Sequence, residues 1–318
     1  MRILWPGPNV MQAMNSSITI DRMAPQDAGD DDLARLSARL RPRLHRYVAR
    51  MTGSALDGED IVQEALAKAA LRYDPATVRE PDAWFFRIAH NTALDFLRHR
   101  ALERSLFVES DANEAADDRI APLDDPIARR EAATAALTTF MQLPARQRSA
   151  VILFDVLGHA LDETAQLLDT NVPAVKAALH RGRTRLRELA RQERDSTPAA
   201  QISPEQRSLV QLYVQRFNAR DFDGLRDLLA EEVRLQLPGR TQAQGKAQVA
   251  NYFGNYAKVH NVRASGAVIE GHPGVWMTET DTELPAYAVV LDWQDGQLMG
   301  IRDFRYARYA SEALLPRT

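Results

Sequence analysis

The property that most limits how this chain can fold is a single change of hydrophobic period part-way along it. From Leu33 to Arg194 apolar residues recur every three or four positions, the spacing of amphipathic helices. From Val262 to Tyr306 they fall in short strand-like runs separated by turn residues. Helices followed by a run of strands imply helical modules and then an α+β layer domain. The length of 318 residues suits two or three domains.

Within that frame, residues 1–32 mix Pro, Gly, Asn, Ser and Asp and read as a disordered tail. A helical block is expected over 33–105. Its first stretch carries Leu33, Leu36, Leu40, Leu44, Val48 and Met51, with Pro42 predicting a kink or a break. Gly53 and Asp57-Gly58 mark a turn before a helix bearing Val62, Ala65, Leu66 and Ala69. A third helix starts near Pro81 and carries Phe85, Ile88, Ala89, Thr92 and Phe96 on one side. Residues 106–126 form an acidic linker, 127–194 a second helical block, and 195–203 a second linker. The domain over 204–309 opens with two short helices, bearing Val210, Tyr213, Val214 and Phe217, then Phe222, Leu225 and Leu229. A helix with Val249, Tyr252, Phe253 and Tyr256 follows. Strands are expected over 262–269, 275–280, 286–293 and 298–306, with turns at 271–274 and Asp295-Gly296, and residues 310–318 form a tail.

Composition removes several function classes. Cys is absent, so disulfides, thiolate metal sites and cysteine nucleophiles are excluded, in keeping with a reducing cytoplasm. No apolar run is long enough for a membrane span, and the first residues lack the order of a signal peptide. The seven His show no metal-ligand spacing, and no Gly-rich phosphate loop or nucleophile–base pair is visible. No catalytic residue, metal or cofactor is therefore expected. A formal charge of −3 argues against a uniformly basic DNA coat, but phosphate contacts depend on local charge.

The sharpest local signal lies in the second helical block. A short helix over 161–168 buries Leu161, Thr164, Ala165 and Leu168, and Asp169-Thr170-Asn171 makes a three-residue turn. Asn171 suits an N-cap and Pro173 a first helical turn. The next helix buries Val175, Leu179, Gly182, Leu186 and Leu189, leaving Lys176, His180, Arg181, Arg183, Arg185 and Arg187 on its other faces. A brace helix followed by a basic helix is the geometry of major-groove docking. Pro173, Ala174, Lys176, Ala177, His180 and Arg181 are then the residues that face DNA. Arg183, Arg185 and Arg187 hold phosphates or solubilise the helix; the competing reading is a basic solvated helix of a bundle.

These residues carry a resemblance. Leu143-Pro144-Ala145-Arg146-Gln147-Arg148 and the helix from Val172 to Arg183 resemble region 4 of the sigma-70 family. Asp169 departs from it, standing where many relatives have a turn Gly. Asp57-Gly58-Glu59-Asp60-Ile61-Val62-Gln63-Glu64-Ala65 resembles region 2.2, and residues 83–100 resemble regions 2.3 and 2.4. The resemblance implies that Asp60, Gln63 and Glu64 dock on core RNA polymerase, although an acidic helix N-terminus is also favoured by the helix dipole alone. It further implies that Arg87, His90, Asn91, Arg98 and Arg100 contact the melted minus-ten strand, where cationic groups and stacking surfaces serve single-stranded DNA. Trp84 reads as core, and Asp95 as an organiser of nearby basic side chains. The order of the two regions is similar to that of the extracytoplasmic-function (ECF) branch.

Residues 204–309 resemble the SnoaL-like division of the nuclear-transport-factor-two superfamily, through Phe217 to Asp221, Leu237-Pro238-Gly239, Gly245-Lys246 and Trp293 to Gly296. That resemblance implies an α+β cone with a pocket, for which Tyr213, Phe217, Tyr252, Tyr256, Trp276 and Asp303 are the candidates. Core filling is the plainer reading for most of the aromatics. The fold class expected is thus multidomain, with all-α regions 2 and 4 and then an α+β cone. The function implied is promoter-specific initiation by a cytoplasmic, non-enzymatic sigma factor that binds core RNA polymerase and promoter DNA. Its C-terminal domain is expected to regulate, with an anti-sigma factor or a small ligand of that domain as further partners. A stand-alone helix-turn-helix regulator and a SnoaL-like enzyme remain as alternatives.

Overall fold

A computed structural model describes residues 25–103, 125–192, 201–280 and 285–315. Most of the tail over 1–32 and of the acidic linker over 106–126, and part of the linker over 195–203, lie outside these residues.

Helix α1 (Pro25–Thr52) begins before the expected boundary at residue 33 and runs unbroken through Pro42. The break expected there does not form. Leu40, Leu44, Tyr47, Val48 and Met51 are all fully buried on one face, and this packing outweighs the one backbone hydrogen bond that Pro removes. The turn before α2 (Ala55–Ala70) is at Gly53, φ 74°, followed by Ser54 as N-cap. Asp57-Gly58 is therefore not a turn but part of the helix. A Cβ on Gly58 would lie 2.9 Å from Cα of Ala49, so this glycine permits the close approach of α1 and α2. Helix α3 (Pro81–Glu103) completes the first module.

The second helical block contains α4 (Pro126–Thr134), α5 (Leu137–Phe140), α6 (Ala145–Val151), α7 (Leu161–Leu167) and α8 (Val172–Gln192). A π-helical segment, Ile152–Val156, extends α6. The two helical blocks share one apolar core that joins Leu44, Phe85 and Phe86 to Val151, Leu179 and Leu189. Polar contacts reinforce this packing. Buried Arg148 donates from Nη1 to the Met51 carbonyl at 2.5 Å, at the C-terminal end of α1. The His159 ring meets Phe86 edge to face, with centroids 5.1 Å apart.

The third domain runs through α9 (Pro204–Asn218), α10 (Phe222–Asp227), β1 (Leu229–Leu237), β2 (Thr241–Gln244) and α11 (Lys246–Tyr256). Strands β3 (Val262–Ile269), β4 (His272–Glu279), β5 (Pro285–Gln294) and β6 (Gln297–Asp303) follow. A 3₁₀ turn at Phe304–Tyr306 leads to α12 (Arg308–Leu314). The described strands form one mixed sheet in the order β2-β1-β6-β5-β4-β3, with β1 parallel to β6 and the other pairs antiparallel. Leu229 starts a strand, where a second short helix was expected to include it. The hairpin between β3 and β4 turns at Glu270-Gly271, both with positive φ, so His272 to Gly274 are strand rather than turn. Residues 308–314 are helical where a tail was expected after Tyr309. One sheet face and the helices α9, α10 and α11 enclose the domain's main core. The other face packs α12 and Leu56 of α2 against Ile269, Ala288 and Phe304.

Candidate DNA and polymerase interfaces

The helix-turn-helix forms where its residues predict. Asp169 adopts the left-handed conformation, φ 50°, that a turn Gly would take at no steric cost. Asn171 Oδ1 accepts the Ala174 amide at 2.9 Å, which caps α8. Val175, Ala178, Leu179, Leu186 and Leu189 are buried, and a Cβ on Gly182 would lie 2.7 Å from Val151 Cγ2, so α8 sits directly on α6. Pro173, Ala174 and Lys176 are exposed on the first turns, and Ala177, His180 and Arg181 are half-buried beside them. Arg181 Nε is buried with no hydrogen-bond partner among the described residues.

Arg183 does not join that surface. It is 4% exposed and forms a bidentate pair with buried Asp155, Nε to Oδ2 at 2.9 Å and Nη2 to Oδ1 at 2.6 Å. Burial of the Gly182 face carries the neighbouring Arg183 inward, so it holds α8 to the π-helical segment rather than a phosphate. Arg187 bridges Asp125 and Glu131, and Arg185 pairs with Glu188 at 3.1 Å.

On α3 the five residues assigned to the melted strand divide. Arg87 and Asn91 are exposed, and Arg87 Nη2 reaches the Gln166 carbonyl of α7 at 3.3 Å. Arg98 is exposed and pairs with Asp95 at 3.0 Å, while Arg100 pairs with Asp57 at 2.7 Å. His90 is half-buried, its Nδ1 2.6 Å from the Tyr47 hydroxyl. Burial, with Arg98 nearby, brings its pKa down to about 4, so the ring is neutral at physiological pH. Trp84 packs between Tyr73 and Phe85, partly buried against the core.

Helix α2 carries Asp60, Gln63 and Glu64 on its middle turns. Glu64 is exposed and pairs along its own helix with Lys68 at 2.8 Å, and Gln63 is half-buried. Asp60 is exposed but is held by Arg302 of β6, Nη2 to Oδ2 at 3.1 Å.

In the third domain, Tyr213, Phe217, Tyr252 and Tyr256 fill the enclosed core, and Asp303 points into it at 1% exposure. Asp303 Oδ2 accepts the hydroxyls of Tyr256 at 2.7 Å and Tyr252 at 2.9 Å, and Oδ1 accepts the Arg305 amide at 2.8 Å. Burial raises the carboxyl above its ordinary range against these donors. Trp276 does not belong to this set. Strand alternation turns Val275 and Met277 inward and places Trp276 on the opposite face, beside Ala288 and Ile269. Residues that sequence patterning did not single out complete the arrangement. Arg148 ties the two helical blocks, and Glu270, Arg302 and Tyr309 tie the third domain to α2. Their partners lie far away in the chain, so no local spacing reports them.

Two family models match the chain, Sigma-70 region 2 over residues 36–103 and Sigma-70 region 4 over residues 134–186. The chain is 30% identical over 295 residues to the ECF RNA polymerase sigma factor SigG of Mycobacterium tuberculosis, covering 84% of this chain and 80% of that protein. That span exceeds the two helical blocks and so extends into the third domain. It is 34% identical over 171 residues to the RNA polymerase sigma factor CarQ of Myxococcus xanthus, covering 52% of this chain and 92% of CarQ. Among solved structures it is similar to the extracytoplasmic function sigma factor SigJ of Mycobacterium tuberculosis, at 21% identity and a TM-score of 0.33, over 84% of this chain and 94% of that one. The two matched regions in their order, with the likeness to SigG over 84% of this chain, show that it belongs to the ECF sigma factors of the sigma-70 family.

Proposed function

We propose that the chain directs promoter-specific initiation by docking on core RNA polymerase through Asp60, Gln63 and Glu64 and reading two promoter elements. The observation that carries this reading is the exposed face of Pro173, Ala174 and Lys176 at the N-terminal end of α8, braced by α7 and kept in place by the buried Arg183–Asp155 pair. In the reading, Lys176, His180 and Arg181 meet base edges or phosphates of the minus-thirty-five element, with Pro173, Ala174 and Ala177 against the groove. Arg87, Asn91, Arg98 and Arg100 meet the melted minus-ten strand, and neutral His90 offers a ring nitrogen to a base. The packing of the two helical blocks on one core supports a further step: they must part to reach both elements, releasing Arg87 from Gln166 and Arg148 from Met51.

The reading assigns no reaction to the third domain. The Asp303 carboxylate is engaged by three donors of its own fold, which suits a structural anchor better than an acid or base awaiting substrate. The work is that of a regulator beside core polymerase in the cytoplasm. The test is footprinting of the reconstituted holoenzyme on a promoter upstream of its own gene. Protection of both elements is expected, and loss of the upstream protection alone in the Lys176→Ala, Arg181→Ala variant. Protection without core polymerase would instead favour a stand-alone regulator.

A further inference from the structure

We propose that Tyr47 is a positioning residue for promoter reading: its hydroxyl fixes His90 in the tautomer that presents Nε2–H to the melted strand, so that His90 selects a base edge offering an acceptor. This rests on the assignment of His90 to the minus-ten strand given above.

Tyr47 lies on α1 and is fully buried, and its hydroxyl stands 2.6 Å from Nδ1 of His90 on α3. Phe86 meets the Tyr47 ring edge to face, with centroids 6.1 Å apart, which holds the phenol in place. Burial raises the pKa of the phenol, so the hydroxyl keeps its hydrogen. His90, with a pKa of about 4, is neutral at physiological pH. A neutral imidazole has one N–H and one bare nitrogen, and the bond made by one nitrogen decides which form the other takes. Between Tyr47 and Nδ1 the hydrogen belongs to the oxygen, because an imidazole nitrogen is a much stronger base than a phenol oxygen. The neighbouring Ser149 hydroxyl acts on the phenol as a donor would, which leaves the phenol's own hydrogen for Nδ1. Nδ1 therefore accepts, and the hydrogen of the ring sits on Nε2.

His90 Nε2 has no partner among the described residues and is not a buried atom. The ring shares a face of α3 with Arg87, one turn before it, and Arg98, two turns after it. Those two guanidiniums suit phosphates, whereas the uncharged ring between them offers a single directional donor. Ring nitrogens and carbonyl oxygens of a base accept that donor; exocyclic amino groups, donors themselves, do not. Fixing the ring before the strand arrives lowers the ordering cost of the contact. Tyr47 and His90 both belong to the first module, so the parting of the two helical blocks does not separate them.

The experiment measures binding of the reconstituted holoenzyme to a labelled single strand carrying the minus-ten element of a promoter upstream of the chain's own gene. His90→Ala should weaken binding by about fivefold or more, as for a lost base-edge contact. Tyr47→Phe, which removes only the hydroxyl, should weaken it by about threefold. His90→Gln keeps an N–H donor near the Nε2 position that does not depend on Tyr47, so adding Tyr47→Phe to it should change affinity by less than about twofold. A Tyr47 that only supports the fold would weaken binding equally in both backgrounds, and that result overturns the proposal. Nitrogen-15 NMR of the His-labelled full chain gives the tautomer without any variant: Nε2 should be protonated and Nδ1 bare, and a protonated Nδ1 overturns the proposal. Unchanged affinity in His90→Ala sinks the assignment of His90 to the strand. Weakened binding there, beside an unaltered Tyr47→Phe variant, sinks the positioning role alone.

Discussion

Replacing Asp155 by Ala removes both of its bonds to buried Arg183 and should destabilise the helical half by about 3–5 kcal/mol, the usual cost of breaking a buried ion pair from one side. The geometry supports a value in that range. Arg183 is 4% exposed and the Asp155 side chain is fully buried, so water cannot replace either lost bond without the structure opening. Both bonds are charge-assisted, at 2.6 and 2.9 Å. The Phe154 ring, 5.6 Å below the guanidinium, retains about 0.5–2 kcal/mol of the attraction and draws the expectation toward the lower end. Replacing both residues by apolar ones of similar size, Asp155→Leu with Arg183→Met, should return stability to near that of wild type, because no charge is then left buried. Urea unfolding followed by circular dichroism is the assay; guanidinium is avoided because its ions screen the pair. The double variant should also keep the salt dependence of promoter binding. A loss below about 1 kcal/mol for Asp155→Ala would place the pair with exposed ones. A salt slope lowered by about one in the double variant would show that Arg183 contacts phosphate. Either result would refute the assignment of Arg183 to structure.

Lys176→Ala and Arg181→Ala should each weaken duplex promoter binding, by about 1–3 kcal/mol for a base-edge contact, or uniformly across sequences with a shallower salt slope for a phosphate contact. Anisotropy titrations on promoter and scrambled duplexes at several salt concentrations distinguish these outcomes. Gly58→Ala should destabilise by about 1–3 kcal/mol despite the better helix propensity of Ala, because the new Cβ would meet the Ala49 backbone at 2.9 Å; thermal unfolding with a gain in stability would contradict this. His90 has a folded pKa of about 4 against an ordinary 6.5, so the protonated ring favours the unfolded chain. Its contribution is complete above 6.5 and is lost as pH falls toward 4, and His90→Gln should flatten the urea midpoint between about pH 7 and pH 5.

Helices α2, α3, α7 and α8 were legible because each buries a continuous apolar face at helical spacing, and β3 because its ends are marked by turn residues. The exposed face proposed for DNA was legible as an exposed face for the same reason, since burying Val175 and Leu179 leaves Lys176 exposed. Strand β1 was missed although Val233, Leu235 and Leu237 alternate, because Leu225 and Leu229 before them mimic a helical step. Of the kink or break expected at Pro42, the break does not form, because the burial of Leu40, Leu44 and Tyr47 holds α1 together across it. Asp57-Gly58 has turn chemistry, but tertiary packing uses the glycine for contact with Ala49. The inward orientation of Asp303 could not be settled by alternation without a fixed register, which the pairing of β5 with β6 supplies. Helix α12 is short, and its burial depends on a face of α1 and α2 that lies more than two hundred residues earlier, as the Tyr309–Glu59 bond shows.

The most direct test of the whole account is run-off transcription in vitro with core polymerase, on a promoter taken from upstream of the chain's own gene. The account predicts a discrete transcript that depends on the added protein and is lost with Lys176→Ala, Arg181→Ala. A transcript of equal strength from both proteins, or none from the wild type with polymerase bound, would contradict it.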